Sequence, residues 1–192
     1  ICAVIAIPMA FFIARVAKPK SRPVLIALVI TPLWASYLVK IYAWRTILQS
    51  NGLLGWLLSP FGLEGPGLTE IVNTWLVLTY LWLPYMILPV YAGIERIPNS
   101  LLEASADLGG RGWMTFRRVI FPQLIPALAA GSIFTFSLSI GDYIVPDLVS
   151  DAKFIGNVIY DNSQLGNLPL AAAYSFLPMA IMTVYLLVAR RL

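Results

Sequence analysis

One carboxylate, Asp142, falls inside a long apolar run, and few other residues in the chain offer reactive chemistry. An ionised acid at membrane depth is costly, so a functional role is its default reading. Three roles are open to it. It attracts a cationic solute, it pairs with Lys40 near the outer end of another apolar run, or it sits at the outer interface. Gly141 before it and Pro146 after it favour local unwinding and a position near the outer end. Tyr80, Trp82 and Tyr85 lie near the middle of the run 71–93, and Trp34 and Tyr37 near the middle of the run 24–44. Aromatic faces hold ammonium groups by cation–π attraction, which would place these five on one pathway with Asp142. Ordinary helix packing is the alternative for all five. Catalysis has no foothold. The chain has no histidine and a single cysteine, Cys2. No histidine-dependent triad, metal cluster or disulfide can be assembled from these. No GxxxxGK[ST] loop is present to cradle a nucleotide.

The elements that must position these residues are membrane helices. Of the 192 residues, 59% are hydrophobic and 11% charged, where a soluble domain carries about 25% charged. Runs 24–44, 71–93, 127–147 and 168–189 each approach the ~20 residues that cross a bilayer as a helix. They are continuous rather than broken into alternating ten-residue segments, which excludes a β-barrel pattern. The opening run "ICAVIAIPMAFFIA" is shorter. It reads as a helix whose beginning lies before Ile1, and it lacks the basic leader of a signal peptide. Ten of the 13 Lys and Arg residues, Arg15 to Arg22, Arg96 to Arg118 and Arg190–Arg191, fall on one side of successive runs. Lys40, Arg45 and Lys153 fall on the other, with Glu64, Glu70, Asp147, Asp151 and Asp161. The positive-inside bias therefore makes 94–126 and the C-terminus cytoplasmic, with 45–70 and 148–167 facing outward. It also accounts for the net charge of +4 without nucleic acid. The chain reads as an all-α polytopic helix bundle in one domain, 1–192.

Segment 94–126 has too much pattern for a linker. Ser100 and Glu103 stand at capping-box spacing, so a short helix is expected from there to Leu108. Gly109 and Gly110 accept the left-handed conformation that ends a helix. A second piece follows from Trp113 to about Phe121, with Trp113, Phe116 and Ile120 on one apolar face and Arg117 and Arg118 on the other. Pro122 and Pro126 mark the turn into the next span. Ala104, Ser105 and Ala106 leave room for another backbone to approach. An amphipathic hairpin lying on the membrane surface is the alternative reading.

This segment resembles the cytoplasmic "EAA" loop of permease subunits from binding-protein-dependent ABC importers. The pattern is E-A-A, three residues, Gly, nine residues, then I-x-L-P. Here Glu103, Ala104 and Ser105 precede Gly109, and Val119-Ile120-Phe121-Pro122 follows at the same spacing. Ser, Val and Phe replace Ala, Ile and Leu. "PLWASYLVKIYAWRTILQSNGLL" (32–54), "GDYIVPDLV" (141–149) and "IGNVIY" (155–160) are similar to the spermidine/putrescine-type branch. The resemblance implies the type I importer permease fold, with about five of six helices present. It implies a location in the bacterial inner membrane and a polyamine or another small polar solute as cargo. It also implies an ATPase dimer docked on Glu103, Ala104, Ser105 and Gly109, with ATP and Mg on that partner and no cofactor on this chain. A second permease, a solute-binding protein and membrane lipid complete the partners. An ion-coupled transporter would need more buried acids than Asp142. A non-transporting scaffold would use the loop for recruitment alone.

Overall fold

A computed structural model describes residues 1–49, 52–53, 56, 70–150 and 152–189. Glu64, Asp151, Arg190, Arg191 and most of the outward segment 45–70 lie outside the described residues. Among the described residues every regular element is a helix. Three are long and apolar enough to cross a bilayer: α4 (Ile71–Glu95, extended by Glu70), α6 (Gly112–Ile140) and α9 (Leu168–Ala189). The expected span 24–44 is instead two helices, α2 (Arg22–Trp34) and α3 (Tyr37–Leu48), separated at Ala35–Ser36. Pro32 supplies no N–H near the end of α2, and Ser36 is extended (φ −54°, ψ 136°), so the ladder stops there. α1 (Cys2–Val16) is apolar but shorter. On α9, Phe176, Met179, Val184 and Val188 are all exposed and Ala171 is buried. A helix apolar on nearly every face is stable only against hydrocarbon or another apolar partner.

The chain divides into two compact units. The first comprises Ile1–Thr31, Trp82–Phe136 and Val184–Leu192. Its core is an alanine stripe at four-residue spacing, Ala6, Ala10 and Ala14 on α1, packed against Ile87, Val90, Ile94 and Ile97 of α4 and the segment after it. Small residues let the two backbones close in where lipid supplies no hydrophobic drive between helices. α4 and α6 use the same device. A Cβ on Gly93 would lie 2.8 Å from the Ala127 Cβ, and one on Gly131 would lie 3.2 Å from the Met86 Cα.

α6 runs through Pro122 and Pro126 without the expected turn. The reason is a π-helical stretch, Phe116–Ile120, in which the Phe121 N–H reaches the Phe116 carbonyl. The widened turn stands directly ahead of Pro122, where the proline lacks the N–H for an ordinary i→i−4 bond. α1 has a matching stretch at Phe12–Val16.

The second unit comprises Pro32–Leu81 and Ser137–Thr183. It holds α3, the first part of α4, and two short helices, α7 (Ile144–Val149) and α8 (Ile155–Gln164). Val145 and Pro146 of α7 are buried in this unit.

Candidate functional site

The loop in the first unit folds as a short helix, α5 (Asn99–Asp107), and a glycine stop. The capping box is not made: Pro98 is the N-cap and no side chain caps the helix. Proline sets φ and leaves the chain extended there, so the helix begins one residue ahead of Ser100, and Glu103 projects outward instead of reaching back. The C-terminus is a Schellman motif. Gly109 N–H donates to the Ala106 carbonyl (2.9 Å) and Gly110 N–H to the Ser105 carbonyl (2.8 Å), with Gly109 at φ +76°.

The four residues expected to dock have different environments. Glu103 and Ala104 are exposed, as is Gly109. Ser105 is half-buried, and its Oγ lies 2.9 Å from the Thr115 Oγ1 of α6, holding the two halves of the loop together. Leu102 packs inward on the unit's core. Leu101, Ala104 and Leu108 recur at helical spacing on the opposite side; Leu101 is 41% exposed and Leu108 88%. Trp113 does not share a buried face with Ile120. It is 73% exposed and stacks on Phe116 at 5.6 Å. Arg117 and Arg118 are exposed.

Reading residues one at a time missed Arg15, which counted only toward topology. Its guanidinium donates to the Asn99 Oδ1 (2.6 Å), the Ile94 carbonyl (2.8 Å) and the Ile97 carbonyl (2.5 Å). A basic residue just before an amphipathic break gives no sequence signal for partners about 80 positions away.

In the second unit Asp142 does not lie inside a span. α6 ends at Ile140, and Asp142 stands in the turn before α7. One carboxylate oxygen accepts the N–H groups of Ile144 (3.0 Å) and Val145 (3.1 Å), and the other accepts the Tyr37 hydroxyl (2.5 Å). The carboxylate thus caps the start of α7 and anchors it to α3. The alternative pairing with Lys40 is not formed. Lys40 Nζ donates to the Pro32 carbonyl (3.2 Å) at the end of α2.

The two motifs "GDYIVPDLV" and "IGNVIY" fit each other. Gly156 packs on the Gly141–Asp142 backbone, and the buried Asn157 donates to the Tyr143 carbonyl (2.9 Å) while its oxygen accepts the Phe154 N–H (3.2 Å). Tyr143 and Tyr160 stack at 4.3 Å. At the exposed end of this element Lys153 Nζ donates to the Asp161 carboxylate at 2.6 Å. That hydrogen bond raises the Lys153 ammonium above its ordinary pKa.

Of the five aromatics expected beside Asp142, Tyr37 bonds to it. Tyr80 packs on Trp44 at 5.4 Å. Trp82 and Tyr85 belong to the first unit, where Tyr85 stacks on Phe134 at 6.4 Å. Trp34 is 89% exposed. Helical spacing alone cannot tell which face of a run turns toward which neighbour. A cavity of about 310 Å³ opens in the second unit among Arg45, Gln49, Asn73, Asp147 and Ser150. The buried Asn73 Oδ1 has no hydrogen-bond partner among the described residues.

Three helices long and apolar enough to cross a bilayer, with a built loop among basic residues, define a multi-pass membrane protein. A family model for the "binding-protein-dependent transport system inner membrane component" matches residues 3–192, and the chain belongs to that family. It is 46% identical over 99% of its length to the inner membrane ABC transporter permease protein YdcU of Escherichia coli K12. It is 37% identical over 91% of its length to the spermidine/putrescine transport system permease protein PotB of Haemophilus influenzae. The chain spans 66% and 63% of the length of these relatives. Among solved structures, a bacterial ABC transporter that imports the acidic polysaccharide alginate superimposes with a TM-score of 0.71 at 18% identity. That match covers 99% of this chain and 74% of the other. It establishes the importer-permease fold.

Proposed function

We propose that this chain is one permease subunit of an ATP-driven importer for a polyamine or another small polar or cationic solute. In this reading it forms part of the solute pathway and receives an ATPase dimer on the loop 94–126. The observation that carries the reading is the outer edge of α5. Leu101, Ala104 and Leu108 form an exposed apolar strip flanked by Glu103 and Asp107, on a helix stopped by the Schellman turn. Such a strip fits a groove on a soluble partner, with the flanking acids on its rim. Glu103, Ala104 and Gly109 belong to the docking surface, and Ser105 holds that surface in shape. ATP and Mg bind the partner. A second permease chain and a solute-binding protein complete the importer. The polyamine reading rests on relatives that carry spermidine/putrescine in their names.

The test is reconstitution with the ATPase, the second permease and the binding protein. Glu103→Arg reverses a rim charge on the docking strip and is expected to lower binding-protein-stimulated ATP hydrolysis about tenfold. Insertion of the chain should stay intact. Normal stimulation in this variant overturns the docking assignment. Uptake that survives ATP depletion and collapses with an ionophore would identify an ion-coupled transporter instead. ATPase binding without uptake of any solute would identify a scaffold.

Asp142 enters the pathway by positioning Tyr37 and α7, since its lone pairs are already engaged by local donors. Asp142→Asn keeps an oxygen for the two N–H groups, and its amide can donate to the Tyr37 oxygen. Uptake of a labelled polyamine is expected to change by about twofold or less, because loss of charge alone costs little where neutral hydrogen bonds replace charged ones. A tenfold or greater rise in the half-saturating polyamine concentration would mean instead that the carboxylate binds the cation.

A further inference from the structure

We infer that Arg15 is the residue that makes the loop helix move as one body with the first unit's core, an inference that rests on the coupling role proposed for α5. The junction between α4 and α5 is Arg96–Ile97–Pro98. Its backbone is weakly held. Ile97 N–H reaches the Ile94 carbonyl at 3.2 Å, and Pro98 has no N–H to give. Left to itself such a junction is a hinge, and a push on α5 would be spent in bending it.

One planar group closes the hinge. The Arg15 guanidinium bonds the Ile94 carbonyl in the last turn of α4, the Ile97 carbonyl in the junction, and the Asn99 side chain in the first turn of α5. It thereby adds charged donors to two carbonyls at and just past the end of α4, where the intrahelical ladder thins out, and sets a positive charge at the negative end of the α4 dipole. The residue itself is held firmly. It lies in the π-helical stretch of α1, with Ile13, Ala14 and Ala17 around it all buried. A lysine cannot reproduce this grip, because a point-like ammonium lacks the fork that spans three acceptors.

The experiment uses the assembled transporter without nucleotide and reads amide hydrogen exchange across residues 99–107. Arg15→Met keeps the aliphatic stem and removes the fork. It is expected to raise exchange in α5 about tenfold, with α1 and the buried part of α4 unchanged and the ATPase still bound. Arg15→Lys should recover part of the protection. Asn99→Ala removes one of the three bonds and should raise exchange less. The double variant Arg15→Met/Asn99→Ala should match Arg15→Met alone, since both act on one contact. Solute moved per ATP hydrolysed should fall in the same order.

Unchanged α5 exchange in Arg15→Met, or additive effects in the double variant, would overturn the inference. Should Arg15→Met fail to insert, Asn99→Ala decides alone. Raised exchange supports the latch, and unchanged exchange refutes it. The latch and the docking reading fail separately. Raised exchange in Arg15→Met with normal ATPase stimulation in Glu103→Arg would keep the latch and reject the docking reading.

Discussion

Gly110→Val is expected to lower energised uptake about a hundredfold while leaving the chain in the membrane, the loss that ~3 kcal/mol of coupling would produce. A Cβ on Gly110 would stand 2.5 Å from the Ser105 Oγ and 2.6 Å from the Ser105 carbonyl oxygen. That carbonyl accepts the Gly110 N–H, so the contact cannot open without breaking the bond that ends α5. The Ser105–Thr115 bridge beside it would go too, since the Thr115 Oγ1 lies 3.1 Å from the same Cβ position. The side chain cannot swing aside, because the clash begins at the first carbon. Gly112 is the informative control. It lies outside the four docking residues, its φ is not in the left-handed region, and nothing lies within 4 Å of a Cβ built there. Gly112→Ala should therefore leave uptake within about twofold of the parent, since Ala suits a helix better than Gly by about 1 kcal/mol. Uptake and binding-protein-stimulated ATP hydrolysis, both normalised to protein in the membrane, measure the contrast. Equal activity in Gly110→Val and Gly112→Ala would mean that the Schellman turn does not set the loop's function.

Gly156→Val should have the largest effect on the second unit, on the order of 5 kcal/mol. The Cβ would lie 2.9 Å from the Asp142 oxygen, 3.0 Å from its carbonyl carbon and 3.0 Å from the Gly141 oxygen. All three are backbone atoms, so there is no flexible end to yield. Overpacking of this kind costs about 1–3 kcal/mol. Shifting α8 away also parts Asn157 from the Tyr143 carbonyl and the Phe154 N–H, and each buried group left unpaired adds about 1–3 kcal/mol. The Tyr143–Tyr160 stack opens with them. Low steady-state protein and rapid proteolysis between residues 141 and 160 are the expected result. Gly141→Ala is the silent control, since a Cβ there meets nothing within 4 Å. Normal levels and protease resistance in Gly156→Val would show that α8 can leave the turn without cost.

Much of the architecture was legible because it depends on local composition. Uninterrupted apolar length marks a membrane helix whatever it packs against, and α4 and α9 appear where the runs at 71 and 168 place them, while α6 covers Gly112–Ile140 rather than 127–147. The glycine stop after Leu108 was readable for the same local reason. Local rules failed where two of them competed. Ser100 and Glu103 had the spacing of a capping box, but Pro98 two residues earlier had already started the helix. Pro122 and Pro126 promised a turn, but a π-helical stretch absorbed them.

By itself the sequence determined the membrane class, the all-helical make-up and the family, since hydropathy and motif spacing are properties of a one-dimensional string. Only the tertiary structure decided what each polar side chain does. Asp142 became a cap for α7 because Tyr37 and two N–H groups converge on it. Arg15 became a clasp on the loop because α1 passes the end of α4. A half-buried charge takes its role from the donors and acceptors within about 3 Å of it. Those partners lie up to 105 residues away, at separations that no local pattern encodes.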